Sequence, residues 1–177
     1  MQPPYHALQD PEMHQPCYLD ALKSCDFKEL FLLIPLWCQQ AGHGEEGFVV
    51  WDYHVILIHA NPQHSSSVYD LDTTLSFPVS FKEYLEKGIR DNQSLREQYW
   101  RMFRVIPARE FLARFASDRS HMLKENGEWM MPPPTYPCIK THDSANNIED
   151  FISMDPHIPH GDVLTVEQLA SKFLYLS

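Results

Sequence analysis

Two residues in the first half of the chain, His54 and Asp70, have the types and spacing that a hydrolytic site needs. His54 lies in Trp51-Asp52-Tyr53-His54-Val55 and Asp70 in Tyr69-Asp70-Leu71-Asp72-Thr73, with the turn-like Ala60-Asn61-Pro62-Gln63-His64 between them. Phe48 to His59 carries polar residues only at alternate places and reads as a strand, Ser67 to Asp72 is a shorter one, and Asn-Pro is a turn starter. A hairpin folded symmetrically about Pro62 sets His54 opposite Asp70, because both are equidistant from it. Cross-strand neighbours have Cβ atoms roughly 4.5–5.5 Å apart, within reach of a carboxylate–imidazole hydrogen bond. A His oriented by an Asp supplies the base and the orienting acid of a nucleophilic triad. The same pair also serves as an ordinary satisfied polar contact, and a slip of one residue would put its members on different faces. Spacing alone leaves both readings open, and the nucleophile must be sought elsewhere.

The elements that must position this pair belong to a chain of 177 residues, a length that fits one domain with a real core. Hydrophobic residues make up 44% and aromatic ones 12%, too much for a disordered chain. Cys17 to Cys25 has Tyr18, Ala21 and Leu22 at helical spacing and is read as a short helix. Leu30 to Trp37 and Phe48 to His59 are read as strands joined by a Gly-rich acidic turn. Ser80 to Ile89, Ser94 to Phe103, Ala108 to Phe115 and Thr165 to Phe173 are read as helices, the last with Thr165 as N-cap, and Phe103 to Ile106 as a short strand. Met131-Pro132-Pro133-Pro134-Thr135-Tyr136-Pro137 is an extended loop. Early strands with interspersed helices, but no regular alternation, predict an α+β fold with a mainly antiparallel sheet.

Charge and cysteine usage narrow the function classes. The net charge of −10 argues against general phosphate-backbone binding. Arg101, Arg104, Arg109, Arg114 and Arg119 are spaced as the solvated face of a helix rather than as a nucleic-acid footprint. No apolar run approaches the ~20 residues of a membrane span, and the start of the chain does not read as a secretory signal. Cys17, Cys25, Cys38 and Cys138 form no C-x-x-C pair, which predicts free thiols in a reducing intracellular compartment. His157-Ile158-Pro159-His160 is a poor zinc-ligand pair, with Pro between the histidines and no third ligand at suitable spacing.

Five strings occur in one order: Trp51-Asp52-Tyr53-His54-Val55, Tyr69-Asp70-Leu71-Asp72-Thr73, Phe115-Ala116-Ser117-Asp118-Arg119-Ser120-His121-Met122, Pro132-Pro133-Pro134-Thr135-Tyr136-Pro137 and Asp150-Phe151-Ile152-Ser153-Met154. From about Ile34 to the C-terminus the chain resembles the eukaryotic protein N-terminal glutamine amidohydrolases, the WDYHV family. The resemblance implies a fold similar to papain-like and transglutaminase-like cysteine enzymes, a nucleophilic Cys at a helix start, and a sheet carrying His and Asp. It implies hydrolysis of the side-chain amide of N-terminal Gln to Glu and ammonia, a step in the N-degron route. By motif, His54 matches the family's His and Asp70 its Asp. The implied partners are proteins and peptides with a free N-terminal Gln, handled by a monomer in the cytoplasm, and in the nucleus also, without metal or organic cofactor. The whole of 1–177 is expected to be a single domain, with 1–33 atypical.

The atypical part is where the family's Tyr/Phe-Cys-Glu-Glu-Asn nucleophile string should stand, and this chain lacks it. Physical chemistry ranks the thiols that remain. A nucleophilic thiol is activated at a helix N-terminus beside an imidazolium, and Cys17 begins the helix expected before the sheet. Cys25 would fall at that helix's C-terminal end, where the dipole opposes a thiolate. Cys38 lies at a strand end and Cys138 in the Pro-rich segment. Cys17, His54 and Asp70 are thus the expected catalytic residues, and an inactive form that at most binds N-terminal Gln is the alternative. Asp52 and Asp72 are candidates to receive the substrate's α-ammonium or ordinary turn acids, and Arg119 and His121 are expected to fix a loop.

Overall fold

The computed structural model describes residues 17–24, 34–60 and 65–174. Among the described residues there are eight strands and four helices, with six strands before the first helix. The strands are β1 (Cys17–Ser24), β2 (Ile34–Leu36), β3 (Val49–Trp51), β4 (His54–His59), β5 (Ser67–Tyr69), β6 (Val79–Ser80), β7 (Arg101–Pro107) and β8 (Asp162–Thr165). The helices are α1 (Phe81–Tyr84), which runs on into a π-helical turn at Leu85–Ile89, α2 (Ala108–Arg114), α3 (Ile148–Ile152) and α4 (Val166–Leu174). Six strands form one sheet in the order β6-β5-β4-β1-β7-β8, every neighbouring pair antiparallel, and β2 and β3 form a separate antiparallel pair. The α+β architecture expected from the sequence is therefore observed.

The pleat sorts the core onto two faces. Ile56, Ile58, Val68, Phe103 and Val105 join Phe81, Tyr84, Leu169 and Phe173 from α1 and α4 in the larger cluster. Leu57 and Ile106 face the other way, against Phe111 of α2 and Phe151 of α3. Burying a side chain the size of Phe103 contributes about 1.5–3 kcal/mol, so the larger cluster dominates the fold's stability. Helix α4 shows how the sequence builds one such face. Val166, Leu169 and Phe173 repeat at helical spacing and are all buried. Thr165 Oγ1 accepts from the Gln168 N–H while Gln168 Oε1 accepts from the Thr165 N–H, a reciprocal cap.

Four sequence expectations are corrected. Cys17–Ser24 is not a helix but the strand β1, inserted between β4 and β7. Residues spaced to suit a helix were also able to fill a central sheet position, because a short apolar run does not fix its own period. Phe48–His59 is two strands in two sheets, broken at Asp52-Tyr53. The stretch 94–103 is not a helix; its only helical turn is the 3₁₀ turn Glu97–Tyr99, after which β7 begins at Arg101. Arg101 and Arg104 do not lie on a solvated helix face: both are fully buried in β7.

Each buried guanidinium is matched to backbone carbonyls, which is what makes its burial tolerable. Arg101 donates to the carbonyls of Pro35, Ile89, Arg90 and Asp91 and to the side chain of Asn92. Burial lowers its pKa to about 10. Arg104, on the other face, donates to the carbonyls of Ser153 (2.6 Å), Asp155 (2.6 Å) and His160. Gly161 then lets β8 start against β7: its φ is +63°, and a Cβ there would lie 2.2 Å from the Val105 carbonyl oxygen.

Candidate active site

Strand β4 begins at His54, and β5 ends one residue before Asp70. The register pairs Ile58 with Val68 and Leu57 with Tyr69, so an extended β5 would set His54 opposite Asp72 rather than Asp70. The two-residue offset from the symmetric hairpin preserves the face, because side chains alternate with period two. Asp70 then turns back through an Asx-type turn, its Oδ1 accepting from the Asp72 N–H at 3.0 Å. The same oxygen accepts from His54 Nε2 at 2.9 Å. The structure thus brings together the two residues that spacing paired, though diagonally.

Asp70 is completely buried and His54 nearly so, with side-chain exposures of 0% and 11%. The other carboxylate oxygen, Oδ2, accepts from Gln39 Nε2 and from the Tyr84 hydroxyl, both at 2.8 Å. Burial alone would raise the Asp70 pKa. The hydrogen bond and charge of His54, with the Gln39 and Asp72 donors, outweigh burial and hold it below the ordinary carboxylate value. Burial and the neighbouring Asp70 charge push the Tyr84 phenol well above its ordinary value, so it stays a donor. Trp51 stacks on the imidazole, with centroids 5.3 Å apart and planes at 20°. Because Nε2 is bound to Asp70, Nδ1 is the ring nitrogen that can serve a reacting group.

A cavity of about 430 Å³ opens beside the pair. Its lining combines the polar His54, Asp70 and Asp72 with the apolar Phe111, Phe115, Phe151 and Ile152. Tyr53 and His121, both in the lining, meet through a Tyr53 Oη–His121 Nε2 contact of 3.3 Å. Arg119, at φ +65°, fixes the Pro-rich loop by donating to the carbonyls of Pro134, Tyr136 and Pro137. Of the two acids considered for a substrate amine, Asp72 lines the cavity. Asp52 instead accepts from its neighbour's backbone, the Tyr53 N–H, at 2.9 Å.

Cys17 does not join this constellation. The register sets Cys17 opposite His59 and Leu22 opposite His54. His54 and His59 are the two ends of β4, about 16 Å apart at ~3.3 Å per residue. The argument that Cys17 is activated at a helix start falls with the helix. Cys25 lies outside the described residues. Cys38 Sγ points at the Lys87 carbonyl and Cys138 Sγ at that of Asp118, and neither residue lines the cavity. His160 pairs with Glu110 at 3.0 Å. Among the described residues no group of three or more His, Cys, Asp and Glu is disposed to hold a metal ion, and no helix is long and apolar enough to cross a membrane.

Sequence reasoning missed Gln39 and Tyr84. Tyr84 reads as one more apolar residue beside Phe81, Leu85 and Ile89, and only the fold reveals that its hydroxyl meets Asp70. Gln39 follows the Ile34-Pro35-Leu36-Trp37 segment, and nothing in its type or position signals that its amide is buried.

Known proteins resemble this chain over most of its length. The family described as N-terminal glutamine amidase matches residues 27–173. The Danio rerio protein N-terminal glutamine amidohydrolase is 42% identical over 164 residues, covering 88% of this chain and 81% of that protein. The Homo sapiens protein of the same name is 48% identical over 141 residues, 80% of this chain and 68% of that protein. The Drosophila melanogaster one is 41% identical over 140 residues, 79% and 68%. A family match over residues 27–173, together with relatives at such identity, makes this chain a member of the N-terminal glutamine amidase family.

Proposed function

We propose that this chain hydrolyses the side-chain amide of N-terminal glutamine on proteins and peptides, giving N-terminal glutamate and ammonia. The observation that carries the reading is the buried, four-donor Asp70 holding His54 in the lining of the cavity, in a chain 42–48% identical to proteins named for that activity. A thiolate attacks the carboxamide carbon. His54 gives a proton to the departing ammonia and then activates water against the thioester, while Asp70 keeps the imidazole oriented and stabilises its cation. Asp72 receives the α-ammonium of the substrate. The arrangement is papain-like or transglutaminase-like in its logic, the whole chain acts as one monomeric domain in the cytoplasm and nucleus, and no cofactor takes part.

The position of β1 favours a second reading, in which the chain binds N-terminal Gln without turning it over. That strand carries Cys17 to the far end of β4 from His54, and a general base without its thiol achieves little. Ammonia release from Gln-, Asn- and acetyl-Gln-peptides separates the readings. Turnover of the free Gln-peptide alone supports deamidation. Saturable binding of that peptide without ammonia supports the second reading, and equal use of the acetylated peptide defeats both. Iodoacetamide labelling with peptide mapping identifies the thiol, because one paired with His54 reacts far faster than the others.

A further inference from the structure

The acid of the pair is gripped from behind by two side chains that never reach the cavity. Gln39 and Tyr84 are both buried, neither lines the cavity, and each donates to Asp70 Oδ2 at 2.8 Å. They come from separate parts of the fold, Gln39 from the segment after β2 and Tyr84 from the end of α1. Gln39 achieves this contact at a cost. Its Oε1 is buried and has no hydrogen-bond partner among the described residues. Exchanging its amide oxygen and nitrogen would set a carbonyl oxygen against a carboxylate, so the donor is committed to Asp70. A side chain retained only for packing would be apolar here, because an unmatched buried acceptor opposes folding.

We propose that Gln39 and Tyr84 are positioning residues that clamp Asp70 and set how strongly it draws a proton onto His54. The inference rests on the reading of His54 as the site's acid–base group, and it deepens that reading. Two donors on Oδ2 fix the carboxylate plane, so that Oδ1 points along the His54 Nε2 direction. They also draw negative charge away from Oδ1, which weakens its pull on the imidazole proton. The Tyr84 phenol, pushed well above its ordinary pKa by burial and by the Asp70 charge, keeps its proton and serves as a constant donor. The other titratable groups lining the cavity are Tyr53, Tyr69, Asp72, Arg119, His121 and Tyr136, and the variants below leave all of them in place.

The test follows the NMR titration of the His54 imidazole in the full chain, a readout that requires no turnover. Tyr84→Phe removes one hydroxyl and Gln39→Met replaces the amide with a side chain of similar shape. Each is expected to raise the His54 titration midpoint by about 0.4–1 unit, the equivalent of one hydrogen bond, and the double variant to raise it further. Site-specific 3-fluorotyrosine at position 84 makes a more acidic donor and is expected to lower the midpoint. It also keeps the test alive should a substitution fail to fold. In an active chain the acidic limb of kcat/KM moves by the same amount. Unmoved midpoints in folded variants, or an upward shift with fluorotyrosine, overturn the proposal and leave the two residues structural. Absence of turnover with the shifts intact refutes the enzymatic reading but not the clamp.

Discussion

Among the described residues are two buried or half-buried His–carboxylate pairs of nearly equal length, His54–Asp70 at 2.9 Å and His160–Glu110 at 3.0 Å. Their surroundings separate them. Asp70 is inaccessible to solvent, takes four hydrogen bonds and opens on a cavity. Glu110 keeps 28% of its side chain exposed, and His160 lies flat against Phe151, with centroids 4.7 Å apart and planes at 13°. The His160 carbonyl is in turn pinned by Arg104. A 3 Å contact between an imidazole and a carboxylate is therefore not a site in itself. What distinguishes the first pair is that every other valence of its acid is occupied, while one edge of its imidazole meets open volume.

The largest effect expected from this contrast is on turnover. His54→Ala should lower ammonia release from a Gln-peptide by about 10²–10⁴-fold, the usual worth of a positioned acid–base group. His160→Ala should leave it within about twofold, because His160 lies outside the cavity lining. Equal losses in the two variants would erase the distinction. Next comes stability around the second pair, where the strength lies in Arg104 and not in the imidazole. Arg104→Met strands the carbonyls of Ser153, Asp155 and His160. It should cost about 2–4 kcal/mol, read as a lower urea midpoint with an unchanged slope.

A smaller effect follows from the sign of the Asp70 shift. Its pKa in the fold is lower than the ordinary value of 3.8. The carboxylate therefore contributes stability that is fully present above about pH 4 and is lost as pH falls through the depressed folded value. Asp70→Asn should be less stable near neutrality, yet its stability should fall less steeply below pH 4 than that of the parent chain. Parallel pH–stability curves from urea unfolding would contradict this, whereas His160→Ala should leave the acid slope in place.

These differences mark how far the sequence could be read. The strings around His54 and Asp70 named the right pair because period-two alternation survives an error of two residues in register, which is the error made at Pro62. The helix α4 was legible for a similar reason: its cap and apolar stripe are local. Strand β1 was not. It is central, pairing with β4 and β7, and a strand's place in a sheet is decided by partners distant in sequence, which a nine-residue pattern does not contain. Arg101 and Arg104 were misread because charge normally reports exposure. The carbonyls that accept from them come from segments as far away as Pro35 and Asp155, which no local pattern reveals. The Gln39–Tyr84 clamp was hidden in the same way.

The smallest expected effect is at Glu110. Glu110→Gln removes a charge but keeps a side-chain oxygen that can accept from His160 Nδ1, so the loss is confined to the coulombic part of a partly exposed pair. Such pairs contribute about 0.2–1 kcal/mol, and 1 kcal/mol in a domain of this size moves Tm by roughly 2–4 °C. A fall in Tm of less than about 4 °C, with unchanged ammonia release, is the expected outcome. The isosteric change at the other acid, Asp70→Asn, should act quite differently. The amide cannot accept as an anion does, and its NH₂ must face at least one of the donors from His54, Gln39, Asp72 or Tyr84. One buried donor then loses its acceptor and the imidazole loses its orienting charge, so turnover should fall together with stability. Differential scanning calorimetry and the ammonia assay on the two variants set the pairs side by side. Should Glu110→Gln match Asp70→Asn in both, the surroundings of an imidazole–carboxylate contact would not be what separates a structural pair from a reacting one.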